Sequence, residues 1–404
     1  MPSRFLSLLF CFVIHSSFAQ QDASLKIEKE KDVIDIAQVV FNRPAWIKRD
    51  TATKKAGHIY FSGSPSIGYS LSSGWAAIVV ANAAFYTTNE KNQKLSNVYT
   101  DALYTQNRQF VFHIQSNIWT KGNRFNIVND WRYYKYPQKT YGLGGSTDAD
   151  KYANQSFRYL RLYQAILTSI RPNLYAGVGY AFDYHWDIQG TSQDNADGDL
   201  DVISDINAYG ISDKSTSSGL LINLLFDNRL NSINAGGGTY ANVVYRPNFT
   251  ALGSDANYQS MLVDLRHYVP FPRRSENILA FWSYNFITMA GDPPYLDLPS
   301  TGWDTYGNTG RGYIQGRYRS KNMLYFETEY RFKVTSNGLF GGVVFANAQS
   351  FTEWPSNTFE KVAFASGLGL RVKFNKYSRT NIAIDYGFGQ NGSQGIFVNL
   401  GEVF

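Results

Sequence analysis

The sequence predicts an all-β chain, a transmembrane antiparallel β-barrel of about sixteen strands preceded by a short helical or linker segment. Three observations carry that expectation. The stretch Leu324-Tyr325-Phe326-Glu327-Thr328-Glu329-Tyr330-Arg331-Phe332 alternates on a two-residue period. It sets Leu324, Phe326, Thr328, Tyr330 and Phe332 on one face and Glu327, Glu329 and Arg331 on the other. The connections between strand-like runs alternate between short and long, as they do when every turn of one kind lies at one end of a barrel. The composition, with 16% aromatics, 29 tyrosines and 34 glycines but only four methionines, suits strands and turns. No stretch of about 18 apolar residues follows the N-terminal segment, so no transmembrane helix is expected.

Taken in order, residues 1–19 read as a secretory signal peptide: Arg4, then the apolar run Leu6 to Ile14, then small residues ending at Ala19. Cys11 follows the bulky Phe10 inside the apolar run, which argues against lipidation; with it goes the chain's one cysteine. Arg4 is also the only Lys, Arg, Asp or Glu in this segment, so the formal charge falls from +6 to +5 on its removal. That mild excess, with no run of five basic residues, excludes a nucleic-acid patch. Residues 20–57 are polar apart from Asp32 to Phe41, where Val33, Ile36, Ala37 and Val40 form a helical stripe that Arg43-Pro44 ends. This segment is expected to plug the lumen, to dock a partner or to be a plain disordered linker.

Residues 58–404 read as the barrel, without a convincing helix. Strands are expected at 59–72, 75–88, 95–106, 108–120, 122–136, 154–169, 171–187, 217–227, 236–249, 255–269, 274–290, 320–333, 336–350, 361–374, 378–390 and 394–404. The long connections are 137–153, 188–216 and 291–319. Faces repeat the opening pattern. Phe364, Leu368, Leu370, Val372 and Phe374 oppose Gly367, Gly369, Arg371 and Lys373, and Ile382, Ile384, Tyr386 and Phe388 oppose Asn381, Ala383, Asp385, Gly387 and Gly389. Phe110, Phe112 and Ile114 likewise oppose His113, Gln115 and Asn117. Lipid accepts the apolar rows and a polar lumen accepts the others, so Glu327, Glu329 and Arg331 are expected to point inward. At the chain's end, Ile396, Val398, Leu400 and Phe404 alternate as in the final strand of an outer-membrane barrel, with Glu402 interrupting the row.

Gly310-Arg311-Gly312-Tyr313 falls at a loop tip between the eleventh and twelfth strands. There it resembles the loop-six motif of the BamA/TamA superfamily (bacterial surface antigen family). Pro65-Ser66-Ile67-Gly68-Tyr69-Ser70 with Ser73-Gly74-Trp75 is similar to that family's opening strands. Tyr136 to Gly144 is similar to the loop after its fifth strand, and Asp227-Asn228-Arg229 with Gly236-Gly237-Gly238 to its mid-barrel turn. Gly367 to Arg371, Ile384 to Gly387, and Leu400-Gly401 with Phe404 are similar to its last three strands. The resemblance implies that loop six folds into the lumen and that its arginine contacts acidic groups of the inner wall. It departs from the family twice. Thirty-eight residues, 20–57, are too few for one polypeptide-transport-associated (POTRA) domain. Phe345-Ala346-Asn347-Ala348-Gln349 puts an amide, Asn347, where the family has an aspartate for the arginine. Arg311 is therefore expected to meet Glu327 or Glu329.

By resemblance, such a barrel sits in the outer membrane of a Gram-negative cell. It inserts outer-membrane proteins or passes polypeptides across by parting its first and last strands, together with a periplasmic or outer-membrane partner or client. A weak seam is consistent with Pro65 and Gly68 in the first strand and with Gly395, Gly401 and Phe404 in the last. The alternative is a passive pore or a plugged structural barrel. No enzyme and no cofactor are expected: among His58, His113, His185 and His267, only Asp183-Tyr184-His185-Trp186-Asp187 forms a cluster, and it reads as part of a polar aromatic girdle. Asp194, Asp197, Asp199 and Asp201 form a weak calcium candidate that lacks the EF-hand spacing and its bidentate glutamate, and a solvated acidic loop is the preferred reading.

Overall fold

The computed structural model describes residues 30–40, 56–90, 93–191, 196–229, 231, 233–376 and 379–404. The expected signal peptide, with Cys11, lies outside the described residues, and so does Asp194. Sixteen strands form the wall. They are β1 (Ile59–Ser70), β2 (Gly74–Phe85), β3 (Ser96–Thr105), β4 (Phe110–Trp119), β5 (Phe125–Lys135), β6 (Ala153–Arg171), β7 (Leu174–Gln189) and β8 (Lys214–Asp227). The second half comprises β9 (Gly238–Asn248), β10 (Tyr258–Pro270), β11 (Ile278–Ala290), β12 (Met323–Lys333), β13 (Phe340–Phe351), β14 (Ala363–Asn375), β15 (Thr380–Gly389) and β16 (Gln394–Leu400). Each strand pairs antiparallel with the next, from β1 through β16. β1 and β16 come to lie side by side. Among the described residues, however, no ladder register joins them.

The faces fall as the alternation requires. Phe326, Leu368, Leu370, Ile384 and Phe388 are exposed on the outside, while Glu327, Glu329, Arg371 and Asp385 are buried inside. An apolar exterior around a charged interior is the inverse of a soluble protein, and hydrocarbon is the surrounding that suits it. One end carries connections of at most ten residues, the tightest being the two-residue link between β6 and β7, where Asn173 takes a positive φ of 65°. The long loops gather at the other end, over which they build a small core of Leu143, Ala153, Val202, Ile203, Ile206, Tyr295 and Leu298.

Two expectations change, and the expected helix takes a definite place. The long loop after β7 is not free of helix: α2 (Leu200–Tyr209) forms there, because Asp199 caps its first turn by accepting from the amides of Asp201 and Val202, and Val202, Ile203 and Ile206 bury one face. The final strand does not run to residue 404 but ends at Leu400, where Gly401 adopts φ +111° and turns the chain inward. Within the expected helical segment, α1 (Val33–Val40) is placed at the short-turn end, beside the turn between β14 and β15. Asp32 and Asp35 cap it reciprocally, each side chain accepting from the other's amide. Lys376 Nζ reaches Asp35 at 3.2 Å and Lys373 Nζ reaches Glu30 at 3.2 Å.

Leu368 lies near the middle of β14 on the outer row and is 62% exposed. Leu368→Arg is expected to destabilise the barrel by about 2–4 kcal/mol in lipid, with Leu368→Ile close to neutral, as measured by urea unfolding in phospholipid vesicles. Equal unfolding curves for the two variants would contradict the outward assignment of this row.

Candidate functional site

Loop six, the connection between β11 and β12, folds back against the inner wall. Its tip needs glycine on both sides of the contact. Gly312 has φ +106°, and a Cβ there would lie 2.7 Å from Ala365 Cβ. On the wall, a Cβ at Gly387 of β15 would lie 2.7 Å from the Gly312 nitrogen. Backbone therefore meets backbone, and the neighbouring side chain can reach the wall.

That side chain is Arg311, 1% exposed. Its Nη1 donates to Asp385 Oδ2 at 2.6 Å, and its Nη2 donates to Glu327 Oε1 and Glu329 Oε1. The guanidinium lies 3.8 Å from the centre of the Phe345 ring. Arg311 thus meets both glutamates rather than one, and a third carboxylate besides. Asn347 does not contact the guanidinium: its Nδ2 donates to the Arg311 carbonyl at 2.9 Å. The position that holds an aspartate in the family motif fixes the loop's backbone here, and the carboxylates come from β12 and β15.

A second layer of charge surrounds the first. Arg331 Nε donates to Glu329 Oε2 at 2.7 Å. Arg371 donates to Asp385 Oδ1 at 2.6 Å and to Glu402 Oε2 at 2.8 Å. Tyr325 OH donates to Glu327 Oε2, and Asn381 Nδ2 to Glu402 Oε1 at 2.6 Å. Four carboxylates (Glu327, Glu329, Asp385, Glu402) thus share three guanidiniums (Arg311, Arg331, Arg371). Alternation in the sequence puts Arg371 and Asp385 on the inner face without linking them to loop six. The same alternation makes Glu402 an interruption of the outer row, where a carboxylate would face lipid. The turn at Gly401 redirects Glu402 to the inside.

Loop six also spans the line where β1 meets β16. On the β1 side, Ser72 Oγ donates to Gln315 Oε1 at 3.2 Å, and Tyr136 OH donates to the same oxygen at 2.6 Å. On the β16 side, Ser393 Oγ donates to the Gly312 carbonyl at 2.7 Å, and Asn308 Nδ2 to the Val403 carbonyl at 2.7 Å. Tyr313 donates to the Phe364 carbonyl at 2.6 Å and accepts from the Gln390 amide at 3.0 Å. Of the seam residues, Pro65 is exposed and Gly68 lies over Ile78. Gly395 lies against the Leu71 side chain, which comes within 2.4 Å of where its Cβ would be. Phe404 leaves the outer row altogether and is buried in the lumen against Trp282.

The remaining candidates separate. In Asp183 to Asp187, alternation sends Tyr184 and Trp186 outward, stacked 5.0 Å apart, and Asp183 and His185 inward. Asp183 accepts from Arg246 at 2.5 Å and Arg161 at 3.2 Å, while His185 stacks on Tyr159 at 4.2 Å. In the acidic loop, Asp199 caps α2, Asp201 pairs with Lys151 and Asp197 accepts from Asn154. Among the described residues no group of metal-ligating side chains gathers. Asp297, in loop six, is buried near Asp183. Its burial, reinforced by the Asp183 charge, pushes its carboxyl up to about 7.

What the wall and loop define is a nearly closed sixteen-stranded barrel with an arginine-tipped sixth loop locked inside. No protein-family model matches the sequence, and no curated protein matches it. Solved structures do match. BamA from Haemophilus ducreyi lacking POTRA domains 1–3 is 12% identical, with a TM-score of 0.53 over 94% of this chain and 80% of that one. CdiB from Acinetobacter baumannii is 12% identical (TM-score 0.54, 85% of this chain), and CdiB from Escherichia coli 10% identical (TM-score 0.54, 84% of this chain). The chain spans 60% and 62% of the two CdiB chains. At such identities the likeness is one of fold: this chain has the barrel fold of BamA and CdiB.

Removing Arg311 leaves buried carboxylates without their shared cation, so Arg311→Ala is expected to cost about 3–5 kcal/mol. Glu329→Gln should cost more than Glu327→Gln, because Glu329 serves two arginines. Glu327→Gln leaves Glu329 and Asp385 on Arg311 and should cost about 1.5–3 kcal/mol. Thermal unfolding in detergent micelles, followed by circular dichroism, orders the three; a larger loss from Glu327→Gln would refute this ordering of the two glutamates. Asp297, neutral in the fold and ionised in the unfolded chain over the same range, contributes stability that is full below the ordinary carboxylate pKa and lost as pH rises to about 7. Asp297→Asn should flatten that slope in a pH series of unfolding midpoints.

Proposed function

We propose that this chain is an outer-membrane barrel of the BamA/TamA superfamily that inserts outer-membrane proteins, or passes polypeptides across the outer membrane, by parting β1 from β16. The observation that carries this reading is the seam: two strands lie side by side with no ladder between them among the described residues, and a loop bonds to residues on either side. A ladder of backbone hydrogen bonds would have to be broken at every opening, whereas side-chain contacts can be released singly. The apolar outer rows support a place in lipid, and the N-terminal stretch Arg4 to Ala19 supports export. In this reading a client polypeptide or a periplasmic or outer-membrane protein is the working partner, with no enzymatic step and no cofactor. The packed core of loops over the long-loop end favours a side exit over a straight pore.

The test uses the approach of Leu71 to Gly395. With Cys11 the sequence's one cysteine, Leu71→Cys/Gly395→Cys supplies a clean pair across the seam. Oxidised in cells, the pair is expected to lower the outer-membrane content of client proteins, measured by quantitative mass spectrometry, and reduction is expected to restore it. Undiminished client levels with the disulfide fully formed would overturn the proposal. Steady conductance through the locked barrel in planar bilayers would then favour a pore.

A further inference from the structure

The residues after β16 form a second lock in the lumen, and it shares its parts with the first. Beyond the Gly401 turn, Phe404 stacks on Trp282 with ring centres 5.2 Å apart and planes 28° apart. The Arg331 guanidinium lies 5.0 Å from the Phe404 ring, and its Nη2 donates to the Phe404 carbonyl at 2.9 Å. Val403 is 2% exposed, and its carbonyl accepts from Asn308 of loop six. Glu402 is held by Arg371 and Asn381. The Gly401 amide donates to the Asn381 carbonyl at 2.7 Å.

The two arginines that hold this tail also complete the Arg311 site. Arg331 joins Glu329, an Arg311 partner, to Phe404. Arg371 joins Asp385, another Arg311 partner, to Glu402. Withdrawing Arg311 leaves Glu329 and Asp385 short of positive charge, so they compete for Arg331 and Arg371 against the tail. Withdrawing Glu402 sends Arg371 wholly to Asp385 and weakens the hold of Asp385 on Arg311. β16 is only seven residues long and, among the described residues, has no ladder partner on its β1 side, so the tail anchors it beyond the β15 ladder.

We propose that Gly401–Phe404 is a latch on the last strand, and that its seating and the seating of the loop-six tip are one cooperative event, transmitted through Arg331 and Arg371. Release of loop six frees the tail and, with it, the seam edge of β16. The proposal rests on the seam reading for its use in the cell, but the coupling itself needs no client.

It is tested on the purified full chain in detergent, by labelling buried cysteines with a water-soluble maleimide. Val403→Cys serves as the tail reporter. Thr309→Cys, at a position 3% exposed in the native chain, serves as the loop reporter. Arg311→Lys, which keeps the charge but loses the fork, and Gly312→Val, which lifts the tip without touching a charge, are each expected to speed labelling of the tail reporter. Phe404→Ala and Glu402→Gln are expected to speed labelling of the loop reporter by a matching factor, about 5- to 150-fold for couplings of ordinary size. Heat-modifiable gel migration confirms that each variant is folded, and a variant that fails this check is replaced by the other of its pair. A tail reporter that labels at its original rate while the loop reporter becomes accessible in the loop variants would overturn the coupling. Reciprocal acceleration together with normal client levels in the seam-locked chain would uphold the latch and reject the transport reading.

Discussion

A buried guanidinium must be matched by anions held close to it, and much of this barrel's inner wall is arranged to meet that demand at Arg311. Three carboxylates from β12 and β15 converge on it, an aromatic ring closes one face, and an amide holds the backbone behind it. Desolvation of so many charges offsets most of what their attraction supplies, so the cluster contributes little net stability while fixing one geometry. That is a property suited to a lock. It holds loop six in one place, and losing any one member leaves the others uncompensated.

The glycines are the other half of the constraint. A guanidinium can enter a wall of strands only if its own backbone comes within contact distance of that wall. Gly312 on the loop and Gly387 on β15 remove the side chains that would keep the two backbones apart. The same economy recurs at the seam, where Gly395 admits Leu71. At Gly401 the reason differs: a Cβ there would meet nothing, and glycine is used for the left-handed turn. Without that turn Glu402 and Phe404 would continue the outer row, and a carboxylate would face hydrocarbon.

The lumen is therefore divided. One side carries the loop-six lock and the tail on β12–β15. The other carries a second polar wall on β6, β7 and β9, where Asp183 gathers Arg161, Arg246 and two tyrosines. Loop six lies between them, bonded to the turn after β1 and to the turn before β16. Its place joins the two sides of the boundary where no ladder is found among the described residues.

Alternation along the chain was enough to set the number of strands, their inside and outside faces and the ends at which turns and loops lie. Each of these follows from a period of two against an apolar surrounding, and residues such as Leu368 and Glu329 carry that signal alone. The chain also marked Arg311 and the two glutamates: the resemblance of Gly310 to Tyr313 to the loop-six motif implies an arginine folded into the lumen, and the inward row supplies Glu327 and Glu329 to meet it. It did not reveal Asp385, Arg371 and Glu402 as members of the same site: they are 60 or more positions from Arg311, and only closure of the strands brings them together. Nor did it reveal α2, whose weak local pattern is stabilised by packing on loops far away in sequence. The fate of Phe404 was decided at Gly401, since alternation carries on through any residue until a backbone angle ends it, and that angle is visible only in the folded chain.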